Sequence, residues 1–130
     1  PLDLFLCRNC GFLQMVDIVM PQAIYFEYLY ETKTSLGLVE HFNRYANSVI
    51  RRIRPPEGSL IVDVGSNDGS LLRVFKSYGF RVLGVDPARN LAPLAAQAGV
   101  ETYNAFFNSE AAKCIVEGVS RSSMSASRMR

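Results

Sequence analysis

The chain has 130 residues, 48% of them hydrophobic and 20% charged, which suits one small domain or one and a half and excludes a disordered chain. Its formal charge of +2 comes from Arg121, Arg128 and Arg130 in an acid-free end, so residues 1–117 are close to neutral and no nucleic-acid footprint is expected. No apolar run reaches membrane-spanning length, Pro1-Leu2-Asp3 does not begin a signal peptide, and three cysteines, two of them as C-x-x-C, suit a reducing, cytoplasmic compartment.

Leu4-Phe5-Leu6 leads into Cys7-Arg8-Asn9-Cys10-Gly11-Phe12-Leu13-Gln14, a C-x-x-C-G turn between two short strands. Cys7 and Cys10 can offer two thiolates to one tetrahedral zinc ion, and Gly11 frees the loop to fold around it. A structural site needs four ligands, and the other pair is missing. The alternative is a hairpin with two unliganded thiols. Val16 to Met20 reads as another strand, and Pro21-Gln22 opens a helix through Ala23, Ile24, Phe26 and Leu29. Tyr25, Phe26, Tyr28 and Tyr30 crowd this part; they read either as packing or as a lid whose phenols face a substrate.

Ser35 to Ile53 carries a helical stripe of Leu38 or Val39, Phe42, Tyr45 or Ala46, Val49, Ile50 and Ile53. Arg51, Arg52 and Arg54 suit the dipole at its end, and Pro55-Pro56 stops it. His41, a lone histidine on this helix, reads first as a packing or surface residue.

Leu60-Ile61-Val62-Asp63-Val64 is a buried-strand pattern that runs into Gly65-Ser66-Asn67-Asp68-Gly69 and then a helix marked by Leu71, Leu72, Phe75 and Tyr78. Arg81 to Asp86 is a second strand ending in a carboxylate. A strand, glycine turn, helix and second strand closed by an acid is how a doubly wound fold holds an adenosine-type ligand, the acid accepting the ribose hydroxyls. A dinucleotide fingerprint is G-x-G-x-x-G with a pyrophosphate on the helix N-terminus; this loop is G-x-N-x-G, and Asp63 and Asp68 would repel a pyrophosphate. S-adenosylmethionine, with a sulfonium and an ammonium and no phosphate, tolerates both acids. The plain alternative is a strand-turn-helix in which Gly65 and Gly69 serve turn geometry only.

Pro87-Ala88-Arg89-Asn90 turns, with Asn90 the expected N-cap of a helix carrying Leu91, Leu94, Ala95 and Ala98. Gly99 closes it, Val100 to Tyr103 is a third strand, Phe106-Phe107-Asn108 follows, and Ser109 caps a helix through Ala112, Ile115 and Val116. A fourth apolar strand is due next. Residues 118–130 instead have the composition of a disordered tail.

Together these stretches resemble the sugar C-methyltransferases that act on nucleotide-linked keto-deoxysugars. The resemblance rests on Cys7 to Gln14, on Tyr25-Phe26-Glu27-Tyr28-Leu29-Tyr30, on Val62 to Leu72, on Gly84-Val85-Asp86-Pro87-Ala88 and on Phe106-Phe107, and covers residues 1 to about 117. It implies an α/β fold: the first half of a Rossmann-like sheet that binds S-adenosylmethionine (58–117), preceded by a linking helix (34–57) and the remnant of a zinc-binding and lid module (1–33), with 118–130 a non-family tail. It implies cofactor contacts from Asp63, Gly65, Ser66, Asn67, Asp68, Gly69, Leu71, Asp86 and Pro87, and zinc ligands in Cys7 and Cys10. Tyr28 and Tyr30, and more weakly His41, are the candidates to face the sugar in a deoxysugar-biosynthesis enzyme. The resemblance further implies that the chain is an inactive fragment, cut at both ends. The alternatives are a methyltransferase of an oxygen or nitrogen acceptor, a non-catalytic cofactor-binding remnant, and an NAD-linked sugar enzyme.

Overall fold

Three apolar runs after Leu60 build the part of the molecule on which everything else is arranged. In a computed structural model that describes residues 3–17 and 19–127, they are β3 (Leu60–Val64), β4 (Arg81–Val85) and β5 (Thr102–Tyr103), following two short strands, β1 (Leu4–Leu6) and β2 (Leu13–Met15). The helices are α1 (Pro21–Tyr25), α2 (Leu38–Ile53), α3 (Ser70–Ser77), α4 (Ala92–Gln97) and α5 (Ser109–Ser127), with a 3-10 turn over Thr32–Thr34.

β3, β4 and β5 form a parallel sheet in that order, with Leu60 opposite Arg81, Val64 opposite Val85, and Gly84 opposite Thr102. Parallel neighbours need a crossover, and α3 and α4 supply it. This is an α/β arrangement compatible with one half of a Rossmann-like sheet. Among the described residues β3 pairs on one side only, and Val62 and Val64 are 40% and 55% exposed.

α3 sits between two small cores. On one side Val74 and Phe75 pack with Ala46 of α2, flanked by Phe42, Val49 and Ile50, the stripe that the helical period of α2 marks out. On the other, Leu72 packs with Ala95 and Val100. Ile61 and Val82, directly paired on adjoining strands, contact both cores from the sheet.

The amino-terminal hairpin pairs Leu4 with Met15 and Leu6 with Leu13. Among the described residues of Val16 to Met20, the expected strand does not form. α1 ends at Tyr25, not at Leu29, because the main chain of residues 26–28 bonds to the turn after β4 instead of continuing the helix. α2 starts at Leu38, after Gly37 at φ +78°, three residues later than Ser35. Asn90 does not cap α4; Leu91 takes the N-cap position without a side-chain bond. Asn108, not Ser109, caps α5, its Oδ1 accepting from Ala111 N at 2.8 Å.

The tail expected over 118–130 falls partly on α5 and partly outside the described residues. α5 runs on to Ser127, and residues 128–130 lie outside those described. After Gly118 the segment holds no glycine or proline, and a helix already nucleated at the Asn108 cap propagates through serine, alanine, methionine and arginine at small cost per residue.

Gly84 shows how closely β4 meets the first loop. A Cβ there would strike Ser66 Oγ and stand 3.1 Å from Thr102 Oγ1. Gly84→Ala is therefore expected to cost about 1–3 kcal/mol, seen as a lower urea midpoint at unchanged slope. An unchanged midpoint would mean that the Ser66 hydroxyl simply turns away.

Candidate functional site

Asp86 closes β4 and is buried. Its main chain continues the sheet, with Asp86 N donating to Tyr103 O at 3.2 Å and Asn104 Nδ2 donating to Asp86 O at 2.8 Å. Its carboxylate joins two loops: Oδ2 accepts from Asn67 N at 2.8 Å and Oδ1 from Ala88 N at 2.9 Å. A carboxylate offers about four lone-pair positions, so two remain for a ligand.

The glycine loop lies beside it. Gly65, at φ +81°, donates its N–H to Val85 O at 2.8 Å, and an added Cβ would meet nothing within 4 Å, so the loop borders open space there. Gly69, at φ +75°, differs: its Cβ would stand 3.1 Å from Val100 Cβ, so a side chain here would crowd Val100 as well as strain the turn. Asn67 is also left-handed, at φ +51°, a conformation asparagine tolerates.

The other expected cofactor residues divide. Asp68 is buried and Oδ1 accepts from Ser70 N at 3.1 Å, holding the first turn of α3. The Ser66 hydroxyl is buried with no hydrogen-bond partner, as is that of Thr102. Leu71 packs with the α2–α3 core, which accounts for its apolar character without a ligand. Pro87 is half-buried in the turn after Asp86. Asp63 is half-buried on β3, and burial, then the negative charge of Asp86, push its carboxyl above the ordinary carboxylate range.

Residues 26–32 form a strap beside these loops. Arg89 N donates to Phe26 O at 2.9 Å, and Asn67 Nδ2 donates to Tyr30 O at 2.8 Å while its Oδ1 accepts from Thr32 N at 3.0 Å. The rings continue the contact: Phe26 lies 5.6 Å from Phe106, the Arg89 guanidinium stands 4.5 Å from the Phe26 ring centre, and Tyr28 lies 5.7 Å from Tyr25 and 6.4 Å from Tyr30. Phe26 is thus engaged in ring contacts, with Phe106 and with the Arg89 guanidinium. Tyr28 and Tyr30 are brought to the same edge as Asp86, and the Tyr30 hydroxyl lies 2.7 Å from Ser35 Oγ. His41 is not part of this assembly: its ring contacts are with Phe42 and Tyr45 on its own helix. The roles of Asn90 and Asn104 escape a motif search, because their signal is only that of polar residues shortly after a strand.

Cys7 and Cys10 are exposed on the hairpin turn, closed by Cys7 N donating to Phe12 O and Gly11 N donating to Cys7 O. The Cys10 main chain, then that of Asn9, and then the Cys10 thiol lower the Cys7 thiol below its ordinary range. Among the described residues no three or more His, Cys, Asp or Glu side chains come together as a metal site, so this pair alone does not meet the four-ligand need of structural zinc. No helix among them is long and apolar enough to cross a membrane. A separate cleft of about 710 Å³, lined by residues such as Lys76, Arg81, Gly99, Glu101 and Cys114, shares only Tyr103 with the residues bonded to Asp86.

No family model matches the chain. It is 37% identical over 110 residues to the C-methyltransferase NovU of Streptomyces niveus, an alignment covering 85% of this chain and 26% of that protein. The chain thus spans about a quarter of the length of this relative.

The raised Asp63 gives a pH signature. A carboxyl raised in the folded state makes the native protein hold its proton more tightly than the unfolded chain does. The charged form therefore costs stability, starting as pH rises through the ordinary carboxylate range and in full above the raised value. Asp63→Asn should raise Tm at pH 7, and the gain should vanish at a pH below the ordinary carboxylate range. Thermal melts at the two pH values check this, and an equal gain at both would remove the charge as its cause.

Proposed function

We propose that the chain belongs to the sugar C-methyltransferases, that β3, β4 and the loops after them form the S-adenosylmethionine site and that the aromatic strap faces the acceptor. The observation that carries this reading is the Asp86 carboxylate, buried at the end of the second parallel strand, bonded to the glycine loop and still holding free lone pairs. The donor set fits the group. Asp86 accepts from the ribose hydroxyls, the open side of Gly65 admits the ligand close to the main chain, and Asp63 supplies negative charge for a cationic ligand. When bound, S-adenosylmethionine supplies an electrophilic methyl group.

The acceptor is proposed to be a keto-deoxysugar linked to a nucleotide. Tyr28 and Tyr30 offer phenols that bind its hydroxyl or carbonyl oxygens, and Phe26 and Phe106 exclude water from that side. For the acceptor carbon to act as a nucleophile, the proton beside its keto group must leave. Tyr28 and Tyr30 are positioned to orient that group, whereas His41 stacks on Tyr45 away from the strap's ring contacts. We assign the general base to residues outside this stretch, in a protein completed as the longer relative is. Cys7 and Cys10 are assigned half of a structural zinc site, completed by ligands beyond the described residues. Oxygen and nitrogen acceptors are less favoured, since the relative is named for transfer to carbon.

Calorimetry tests the cofactor half directly. The chain should bind S-adenosylhomocysteine and ignore NAD. Asp86→Ala, which removes a charged acceptor, should weaken binding about tenfold to a hundredfold, with circular dichroism confirming that the variant remains folded. NAD binding, or no binding of either ligand, would overturn the reading.

A further inference from the structure

We propose that Asn90 is a positioning residue of this site, holding the aromatic strap against the cofactor edge so that cofactor and strap become ordered together. The proposal rests on the reading that Asp86 and the glycine loop take the cofactor. The Asn90 carboxamide uses both its functions on one residue: Tyr28 N donates to Oδ1 at 3.1 Å, and Nδ2 donates to Tyr28 O at 2.8 Å. Arg89 N donates to Phe26 O, so the turn after β4 grips two alternate residues of the strap much as an edge strand does. Only a neutral side chain that both donates and accepts can make this pair of bonds; aspartate lacks the donor and leucine lacks both. Because both main-chain groups of Tyr28 are engaged, the direction in which its side chain leaves the strap follows the position of Asn90.

Asn67 secures the other end through Tyr30 O and Thr32 N. The two asparagines are tied to the same carboxylate. Asn67 donates its own N–H to Asp86 Oδ2, and Asp86 Oδ1 accepts from Ala88 N, two residues before Asn90. A ligand held by Asp86 therefore steadies both anchors of the strap. By reciprocity, a docked strap narrows the positions open to the two loops and favours the ligand. Tyr28 and Tyr30 are in this way presented to the acceptor only when the cofactor side is in place.

Hydrogen exchange read by mass spectrometry on the 130-residue chain, with and without S-adenosylhomocysteine, tests this. In the wild-type chain the ligand should slow exchange both in the Gly65–Gly69 loop and at Tyr28 and Thr32. In Asn90→Ala the free chain should exchange Tyr28 about tenfold faster, the expected effect of one lost hydrogen bond. The ligand should still slow the loop but no longer slow the strap. Asn90→Asp keeps the acceptor for Tyr28 N and should fall between the two; it carries the comparison if Asn90→Ala unfolds. Equal slowing of the strap in wild-type and variant chains, or an unchanged Tyr28 rate in the free variants, would overturn the proposal with the cofactor reading intact. A wild-type loop that ignores the ligand would overturn the cofactor reading and the coupling with it.

Discussion

One carboxylate holds the functional end of this molecule together. Asp86 is buried where the chain leaves β4, and it binds the main chain of the glycine loop on one side and of its own following turn on the other. Charge-assisted bonds to N–H groups are roughly twice as strong as neutral ones, so a single side chain can set the spacing of two loops. The left-handed Asn67 depends on it, since the Asn67 N–H that Asp86 accepts lies inside the tightest part of the loop. The strap depends on Asn67 in turn.

The elements that periodicity describes were legible in the residues. β3, β4, α2 and α3 carry apolar patterns, and Ala46, Leu72 and Phe75, which those patterns mark, lie in the cores; Val74 joins them unmarked, and the marked Tyr78 is exposed. Asp86 was legible too, because an acid ending a second strand after a glycine turn has a chemical meaning independent of its neighbours. Where the reading failed, long-range hydrogen bonds had overruled a local preference. Asn90 has the composition of a cap, but its amide is taken by Tyr28, 62 residues away. α1 stops at Tyr25 because Phe26 O and Tyr28 N find partners across the molecule. Such pairings leave no periodic trace.

The glycine loop shows how one motif can contain residues with different duties. Gly65 borders open space and Gly69 presses on Val100, while Asp68 and Leu71 serve the start and the core face of α3. A contiguous motif read as a list of ligand contacts overlooks that a loop must first be held in shape. Packing and the turn before α3 account for several of its letters, and the proposed ligand contacts fall on Gly65, Asp63 and Asp86.

The unpaired side of β3 bears on what stability means for this chain. Along Leu60–Val64 the peptide groups facing away from β4 meet no described strand, and Val62 and Val64 stay in contact with water. Whatever pairs with that edge binds the folded form and not the unfolded one, so by mass action it raises the apparent free energy of folding with the logarithm of its own concentration. Between copies of the same chain, this makes a melting temperature a function of dilution. Supplied by the same polypeptide, the missing neighbour acts at a fixed effective concentration, and folding of the two halves becomes a single cooperative event.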